Sequence, residues 1–435
     1  MKIHFIGIGG IGISGLAQYM DHKGNTVSGS DIADNRIVRQ LKEKGIDITI
    51  PHDPGAITDQ DLVVHSAIIK PDNVEVVAAK AKGIEVLPRR EALLRILQGK
   101  EVYAVAGAHG KSTTSAILAA IMDGSAIIGA ESKAFGSNVR YDDGSDRLIF
   151  EADESDGSFL NSNPYCAIVT NAEPEHMEYY EYDYERFYDA YRRFIASAKI
   201  RVLNAEDDFL STIEGDALRL YPSRDITNVE YVLRDGEPHT RFDLKTMGSF
   251  EVWGFGEHIA LDAALAILAA AQTMPLDRIR ERILDYKGIK KRFDIIGSES
   301  GCVLIDDYGH HPTEIAATMA SARTYARLMG LQTVTAVWQP HKYSRTIDNL
   351  EAFSHCFEGV DRLIILPVWA AGEAARVIDF EGVFAAYDPL LADRVVRDGC
   401  GLDILKDGKI EEHLDAGLII GFGAGDITYQ LRGEK

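Results

Sequence analysis

Two glycine loops, two runs of acids and a cluster of histidines and cations have the residue types and spacing to do chemistry here. Gly107-Ala108-His109-Gly110-Lys111-Ser112-Thr113-Thr114 ends in the Gly-Lys-Ser of a phosphate-binding loop. In such a loop backbone N–H groups cradle phosphates, the lysine reaches the β- and γ-phosphates, and the hydroxyl, here of Ser112, ligates Mg²⁺. Val105 stands where the long form of the motif has glycine, so the match is to G-x-x-G-K-S. Gly7-Ile8-Gly9-Gly10-Ile11-Gly12 fits G-x-G-x-x-G, and Asp31 follows at the spacing of a ribose-binding acid. Glycines there let backbone N–H groups approach a diphosphate, without separating NAD from FAD or a UDP-sugar.

Glu151-Ala152-Asp153-Glu154-Ser155-Asp156 and Asn171-Ala172-Glu173-Pro174-Glu175-His176 each follow an apolar run that reads as a strand. Carboxylates at consecutive strand ends beside a phosphate loop suit Mg²⁺, which takes oxygen ligands and keeps waters and phosphates. Asp306-Asp307-Tyr308-Gly309-His310-His311-Pro312-Thr313-Glu314 and Trp338-Gln339-Pro340-His341-Lys342-Tyr343-Ser344-Arg345-Thr346 form a third group, again after strands. Acids, histidines and cations at this density can bind a carboxylate substrate and move protons.

The elements around these motifs alternate strand and helix, which predicts parallel sheets flanked by helices. Lys2–Ile6, 25–28 and Leu62–His65 read as strands and 13–22 as a helix. The pattern restarts at Glu101, continues through strands near 149, 167–170 and 202–203, and includes a helix over 184–198. A β-rich stretch covers 224–255, and 259–272 is a helix apolar on nearly every face. After the basic run 287–292, strands are expected at 302–305, 334–338, 362–366 and 418–421. Boundaries near 98 and 290 divide the 435 residues into three α/β domains, 1–98, 99–290 and 291–435.

Composition narrows the function classes. Apolar residues make up 46% and charged residues 26%, as in a globular chain. Lysine plus arginine number 46 against 67 acids, a net charge of −21 that repels nucleic-acid backbones. No run reaches the ~20 apolar residues of a membrane span. The apolar stretch 5–17 is interrupted by glycines and is not expected to be a signal peptide. Cys166, Cys302, Cys356 and Cys400 lie far apart, which suits a reducing, cytoplasmic setting.

Taken in order, GIGGIGISGLA, GAHGKSTT, EADESDGSFL, TNAEPEHME, DDYGHHPTEI and QPHKYSRT resemble the Mur ligases, ATP-dependent amide-forming enzymes of bacterial peptidoglycan synthesis. The likeness runs from the first glycine loop to Gly423-Ala424-Gly425-Asp426 and is strongest to the branch that joins L-alanine to UDP-N-acetylmuramate. It implies a Rossmann-like domain that binds the UDP-sugar, a P-loop domain that binds ATP and Mg²⁺, and a Rossmann-like C-terminal domain that docks the amino acid. It also implies that Gly9, Gly10, Ile11, Gly12, Asp31, Ser66 and Asn171 bind the sugar nucleotide. Gly107, Ala108, His109, Gly110, Lys111, Ser112, Thr113, His258, Arg292 and Asp307 would bind ATP. Ser112, Glu151 and His176 match the Mg²⁺ ligands. Tyr308, His310, His341, Lys342 and Arg345 match the amino-acid pocket, and Lys111, Arg292 and His310 are the residues expected to serve catalysis.

The chain departs from the family at His258-Ile259-Ala260-Leu261-Asp262-Ala263, where H-N-x-x-N-A is usual, so its adenine contacts are expected to differ. Residues 122–135 form a shortened stretch. Other readings are the recycling ligase that adds a preformed peptide, an NAD-dependent oxidoreductase and a non-catalytic nucleotide-binding regulator. QPHKYSRT argues against the first. The dehydrogenase leaves Lys111 and Ser112 without a role, and the intact lysine, hydroxyl and carboxylates argue against lost catalysis.

Overall fold

Apolar runs followed by glycine and a helical stretch fold as strand, turn and helix through most of the chain. The computed structural model describes every residue except His176, Ser300 and Lys435. β1 (Lys2–Ile6), β2 (Thr26–Ser30), β3 (Asp47–Thr49), β4 (Leu62–His65) and β5 (Glu85–Pro88) form a parallel sheet in the order β3-β2-β1-β4-β5. The chain leaves β1 towards β2 and later returns to β4 on its other side. Such a reversal opens a crevice at the carboxyl end of β1, where ligands of doubly wound sheets bind. The first glycine loop sits at that end, Gly7 and Ile8 donating to the Ser30 carbonyl at 2.8 and 3.0 Å.

The second sheet contains β6 (Glu101–Ala106), β7 (Ser125–Ser132), β8 (Ser137–Arg140), β9 (Arg147–Glu151), β10 (Cys166–Val169), β11 (Ile200–Asn204) and β12 (Leu218–Leu220). Its order is β12-β11-β10-β6-β9-β7-β8, and the β7–β8 hairpin pair is antiparallel. β6 pairs in parallel with both β9 and β10. The phosphate loop that leaves β6 therefore has the acids after β9 on one side and those after β10 on the other. The two sheets share a core: Ile13 and Leu16 of the helix Ile11–His22 belong to one buried cluster with Ile127, Val139, Leu148 and Phe150.

The chain forms two compact units. Met1–Asn228, Phe242–Val252 and Ala260–Lys287 make the first, with both sheets just described. Val229–Arg241, Trp253–Ile259 and Gly288–Lys435 make the second. The β-rich stretch is a three-stranded sheet of β13 (Ile226–Arg234), β14 (Glu237–Leu244) and β15 (Ser249–Trp253).

In the second unit β16 (Asp294–Glu299), β17 (Cys302–Asp307), β18 (Val334–Trp338), β19 (Arg362–Ile365) and β20 (Leu390–Leu391) precede β21 (Arg394–Asp398), β22 (Gly401–Lys406), β23 (Lys409–Leu414) and β24 (Gly417–Phe422). The order β16-β17-β24-β18-β19-β20 is parallel except at β16–β17. β17 and β18 flank β24, so the histidine runs that follow them emerge at one edge of the sheet, one strand apart. The helix Pro312–Met329 packs on this sheet through Ile315, Met319, Ala322 and Tyr325 against Val303, Ile305, Ala336 and Trp338.

The elements expected from the sequence are present, with shifts of a residue or two at the ends. The expected helix at 259–272 is Glu257–Ala270. The pattern missed β3, β5, β7, β8, β12, β16, β20 and the antiparallel β21-β22-β23 sheet. β23 reads KIEEHL and is mostly exposed, so it lacks the apolar alternation that marks a half-buried strand. No helix among the described residues is long and apolar enough to cross a membrane.

Candidate active site

The phosphate loop joins β6 to the helix Lys111–Ile121. Its turn requires glycine at 107, where φ is +139° and a Cβ would stand 2.1 Å from Thr170 Oγ1. Thr170 and Asn171, at the end of β10, hold the loop from that side. Thr170 Oγ1 donates to the His109 carbonyl at 2.5 Å, and the Asn171 side chain receives His109 N–H at 3.1 Å and donates to its carbonyl at 3.0 Å. Asn171, expected on the sugar nucleotide, thus has its amide engaged by the loop. His109 lies 3.6 Å from Glu173 and 3.5 Å from Glu175. Ala108, Gly110 and Thr113 complete the loop and the first helical turn.

Lys111 points back over the loop it follows. Its Nζ donates to the Gly107 carbonyl, to the Ala108 carbonyl at 3.1 Å, and to Glu154, whose Oε2 is 3.0 Å away. Burial alone would lower the lysine pKa, but Glu154 and Glu151 outweigh it and raise it above its ordinary value, so the ammonium stays charged. Glu154 is buried, which makes its pairing with Lys111 a condition of its being ionised.

Ser112 Oγ donates to Glu151 Oε1 at 3.0 Å, while Glu151 Oε2 accepts Gly129 N–H at 2.6 Å. Desolvation pushes the Glu151 carboxyl above its ordinary range. A hydroxyl and a carboxylate side by side at the mouth of a phosphate loop form the oxygen donor set that Mg²⁺ takes. The third expected ligand, His176, lies outside the described residues.

At the first glycine loop Asp31 is buried, and both its oxygens are engaged by backbone. Oδ2 accepts Gly9 N–H at 2.8 Å, and Oδ1 accepts Ile32 N–H at 2.8 Å and Ala33 N–H at 3.3 Å. The acid expected at a ribose therefore shapes the loop. A Cβ at Gly9 would lie 2.8 Å from Asp31 Oδ2, so the contact needs glycine. Gly10 is the N-cap of the helix that begins at Ile11, with Gly12 in its first turn. Ser66 follows β4 with its N–H on the Ile6 carbonyl at 3.0 Å. Sequence reasoning missed Arg89, whose guanidinium lies against Gly12 and donates to Asp156 at 2.9 Å and Ser158 at 3.1 Å. It ties the start of the helix after the first glycine loop to the acidic loop after β9. A pair of arginines at a helix start carries no motif that would have singled out Arg89.

In the second unit Tyr308, His310, His341, Lys342 and Arg345 come together. Their protonation states follow from their partners. His310 Nδ1 is 3.1 Å from the Tyr308 carbonyl and 3.5 Å from Glu314 Oε2, both acceptors, so Nδ1 carries the proton and Nε2 the lone pair. Arg345 Nη1 is 3.1 Å from His341 Nδ1, and a guanidinium can only donate, so the reverse tautomer holds there. Burial, then the Arg345 charge, lowers His341 to about 4, and burial also lowers His310. Both rings are neutral at pH 7.

Arg345 lies on the helix Tyr343–Asp348, whose start is held by Glu373 through Ser344 N–H at 3.0 Å and Ser344 Oγ at 2.6 Å. Lys342 precedes it with φ +68° and donates its N–H to the Trp369 carbonyl at 2.8 Å. Asp307 is buried and accepts from Phe293 N–H and Gly309 N–H, each at 2.7 Å, and burial raises it to about 6. Arg292 lies 5.7 Å over the Tyr308 ring and 3.3 Å from Glu314. His258 is in this unit and feels the Arg292 charge. Asp262, four residues on, is in the first unit, where a Cβ at Gly110 would meet its Oδ1 at 2.4 Å. The position expected at the adenine therefore sits under the phosphate loop.

Three family models match in order: Mur ligase family, catalytic domain, over residues 2–101; Mur ligase middle domain, over 105–224; and Mur ligase, glutamate ligase domain, over 291–396. The chain is 56% identical over 432 residues to a UDP-N-acetylmuramate–L-alanine ligase of Campylobacter curvus, covering 99% of each. It is 55% identical over 436 residues to the protein of that name from Helicobacter pylori strain P12, covering all of this chain and 96% of the other. The crystal structure of UDP-N-acetylmuramate-alanine ligase from Thermotoga maritima shares the fold, with a TM-score of 0.81, 24% identity, and 99% and 97% of the two chains covered.

Proposed function

The chain belongs to the Mur ligase family, and on that premise we propose that it joins L-alanine to the lactyl carboxylate of UDP-N-acetylmuramate at the expense of ATP. The reaction serves peptidoglycan synthesis in the cytoplasm. The relatives' names support this reading, and one observation carries it: a charged Lys111 on a glycine loop beside the Ser112–Glu151 pair. We read residues 1–98 as the UDP-sugar domain, 99–290 as the ATP domain and 291–435 as the amino-acid domain.

A carboxylate is a poor electrophile, so it must first gain a leaving group and lose its charge. The N–H groups of Gly9, Gly10, Ile11 and Gly12 receive the UDP diphosphate, with Ser66 alongside and Asp31 and Asn171 holding their loops in shape. The N–H groups of residues 107–113 receive the ATP phosphates; His258, Arg292 and Asp307 are the further residues read as nucleotide-binding. Lys111 exchanges Glu154 for the γ-phosphate and stabilises the charge that develops as the lactyl carboxylate attacks phosphorus and ADP departs. Ser112 and Glu151, with His176, would hold Mg²⁺, which when bound supplies further positive charge against the phosphates. Arg345 pairs with the alanine carboxylate and Lys342 assists, leaving the amine to attack the acyl phosphate near Tyr308, His310 and His341.

The test is incubation with ATP, Mg²⁺ and UDP-N-acetylmuramate, adding either L-alanine or a tripeptide. ADP and phosphate release that depends on L-alanine is expected. Release with tripeptide alone, or none with either, overturns the reading.

A further inference from the structure

The proposed reaction needs a proton acceptor, because alanine arrives as an ammonium ion with no lone pair to attack. Two histidines are close, with ring centroids 6.1 Å apart, and their hydrogen bonds give them opposite capacities. His341 has its lone pair committed to Arg345, and its remaining nitrogen bears a proton. His310 donates its Nδ1 proton to the Tyr308 carbonyl, with Glu314 Oε2 3.5 Å away, so its Nε2 carries the lone pair.

We infer that Glu314 is the positioning residue that orients His310 and makes His310 Nε2 the acceptor of the proton from the amino-acid ammonium group. Glu314 is placed for this by its own chain. It is the third residue of the helix Pro312–Met329, and its Oε2 closes a capping box, accepting His310 N–H at 3.1 Å and His311 N–H at 3.3 Å. The same carboxylate therefore fixes the backbone of His310 and faces its ring. Burial would raise it, but Arg292 and His310 hold it down at about 2, so it remains an anion. With Nδ1–H held by the Tyr308 carbonyl at 3.1 Å, the imidazole accepts at Nε2, and the Glu314 carboxylate 3.5 Å away favours the imidazolium that results. The charged and titratable groups facing His310 are Glu314, Arg345, Arg292, His341 and Tyr308.

In the step, Nε2 takes one proton from the ammonium group, and the freed nitrogen pair attacks the acyl carbon. The C–N bond forms as the C–O bond to phosphate breaks. Phosphate leaves with that electron pair and takes the second nitrogen proton, giving amide, hydrogen phosphate and protonated His310.

This inference rests on the ligase reading, and hydroxylamine separates the two. Hydroxylamine is largely unprotonated at neutral pH, so its capture of the acyl phosphate needs no base. Glu314→Gln keeps the shape and a cap acceptor while removing the charge. We expect its kcat with L-alanine to fall about 10- to 100-fold, with KM for L-alanine within about twofold and the acidic limb of the kcat profile moved to lower pH. Hydroxamate formation from ATP and UDP-N-acetylmuramate should stay within about twofold of the parent. His310→Gln should show the same split, and the double variant should be no worse than the poorer single one. A parent-like kcat and acidic limb in Glu314→Gln overturns the inference, as does equal loss of amide and hydroxamate. Absence of hydroxamate from the unmodified enzyme overturns the ligase reading instead.

Discussion

The phosphate loop and the histidine cluster handle charge in opposite ways. At the loop a cation is kept charged by a buried anion: Lys111 is held by Glu154 at 3.0 Å. At the cluster two histidines beside Arg345 are kept neutral, and one of them is left with a free lone pair. On the proposed function, the difference follows from the ligands each would receive. A triphosphate can displace Glu154 and inherit a lysine already ionised and aimed. An ammonium group needs a neutral base, and its carboxylate needs a fixed guanidinium. The loop is thus a paired site that opens by exchange, whereas the cluster is a site prepared by tautomer.

The largest expected effect breaks the comparison on the loop side. Lys111→Met should lower kcat by roughly 10³-fold or more, since it removes the charge that meets the transferring phosphoryl group. It should also cost about 3–5 kcal/mol of stability, because Glu154 is left buried without a partner. Lys111→Met with Glu154→Gln should recover most of that stability and none of the rate. Urea unfolding and ADP release measured on the same samples check both. If the double variant is no more stable than the single one, Glu154 is not an anion held by Lys111.

The next effect tests whether the cluster binds by charge. Arg345→Ala should raise KM for L-alanine about 100-fold with a smaller change in kcat, the pattern for a contact made equally in ground and transition states. A loss confined to kcat would place Arg345 with the reacting atoms instead. A smaller effect concerns neutrality. His341 is held near 4 in the folded chain against 6.5 ordinarily. Below pH 6.5 the unfolded chain takes a proton that the folded one refuses, so stability is fully present above 6.5 and declines towards pH 4. Because the ring is partly exposed, the loss should be only about 1 kcal/mol. Unfolding free energies of the parent and His341→Asn at pH 7 and pH 4.5 should differ by that amount, the Asn variant losing less.

The two regions also differed in how legibly the sequence announced them. The loop was readable because its chemistry is local: glycines, lysine and hydroxyl follow one another, and strand alternation placed them after β6. That the acids of β9 and β10 both flank it depends on strand order, which no local pattern encodes. For the same reason Glu154 stood out only as one acid in a run of four, and its pairing with Lys111 is a contact across 43 positions. Arg89 was invisible because its partners are 67 and 69 residues away. At the cluster the residue types were visible but not their states, since a tautomer is decided by a carbonyl, a carboxylate or a guanidinium at hydrogen-bond distance.

Asp262 gives the smallest effect and the sharpest test of the comparison, because here an acid lies under the phosphate loop with no cation paired to it among the described residues. It is buried, with Gly110 against its carboxyl and the buried Tyr286 among the groups that feel it. Burial pushes its pKa well above the carboxylate range. A folded acid that holds its proton where the unfolded chain releases it loses stability as pH rises above the unfolded value, near 4. Asparagine has nearly the same shape and no proton to lose. Asp262→Asn should therefore unfold at a temperature about 2–4 °C higher at pH 8, with the gain shrinking towards zero near pH 4 and kcat within about twofold. A variant that unfolds earlier at pH 8 would mean that this carboxylate is charged and paired, and that the phosphate loop rests on two ionic contacts rather than on one.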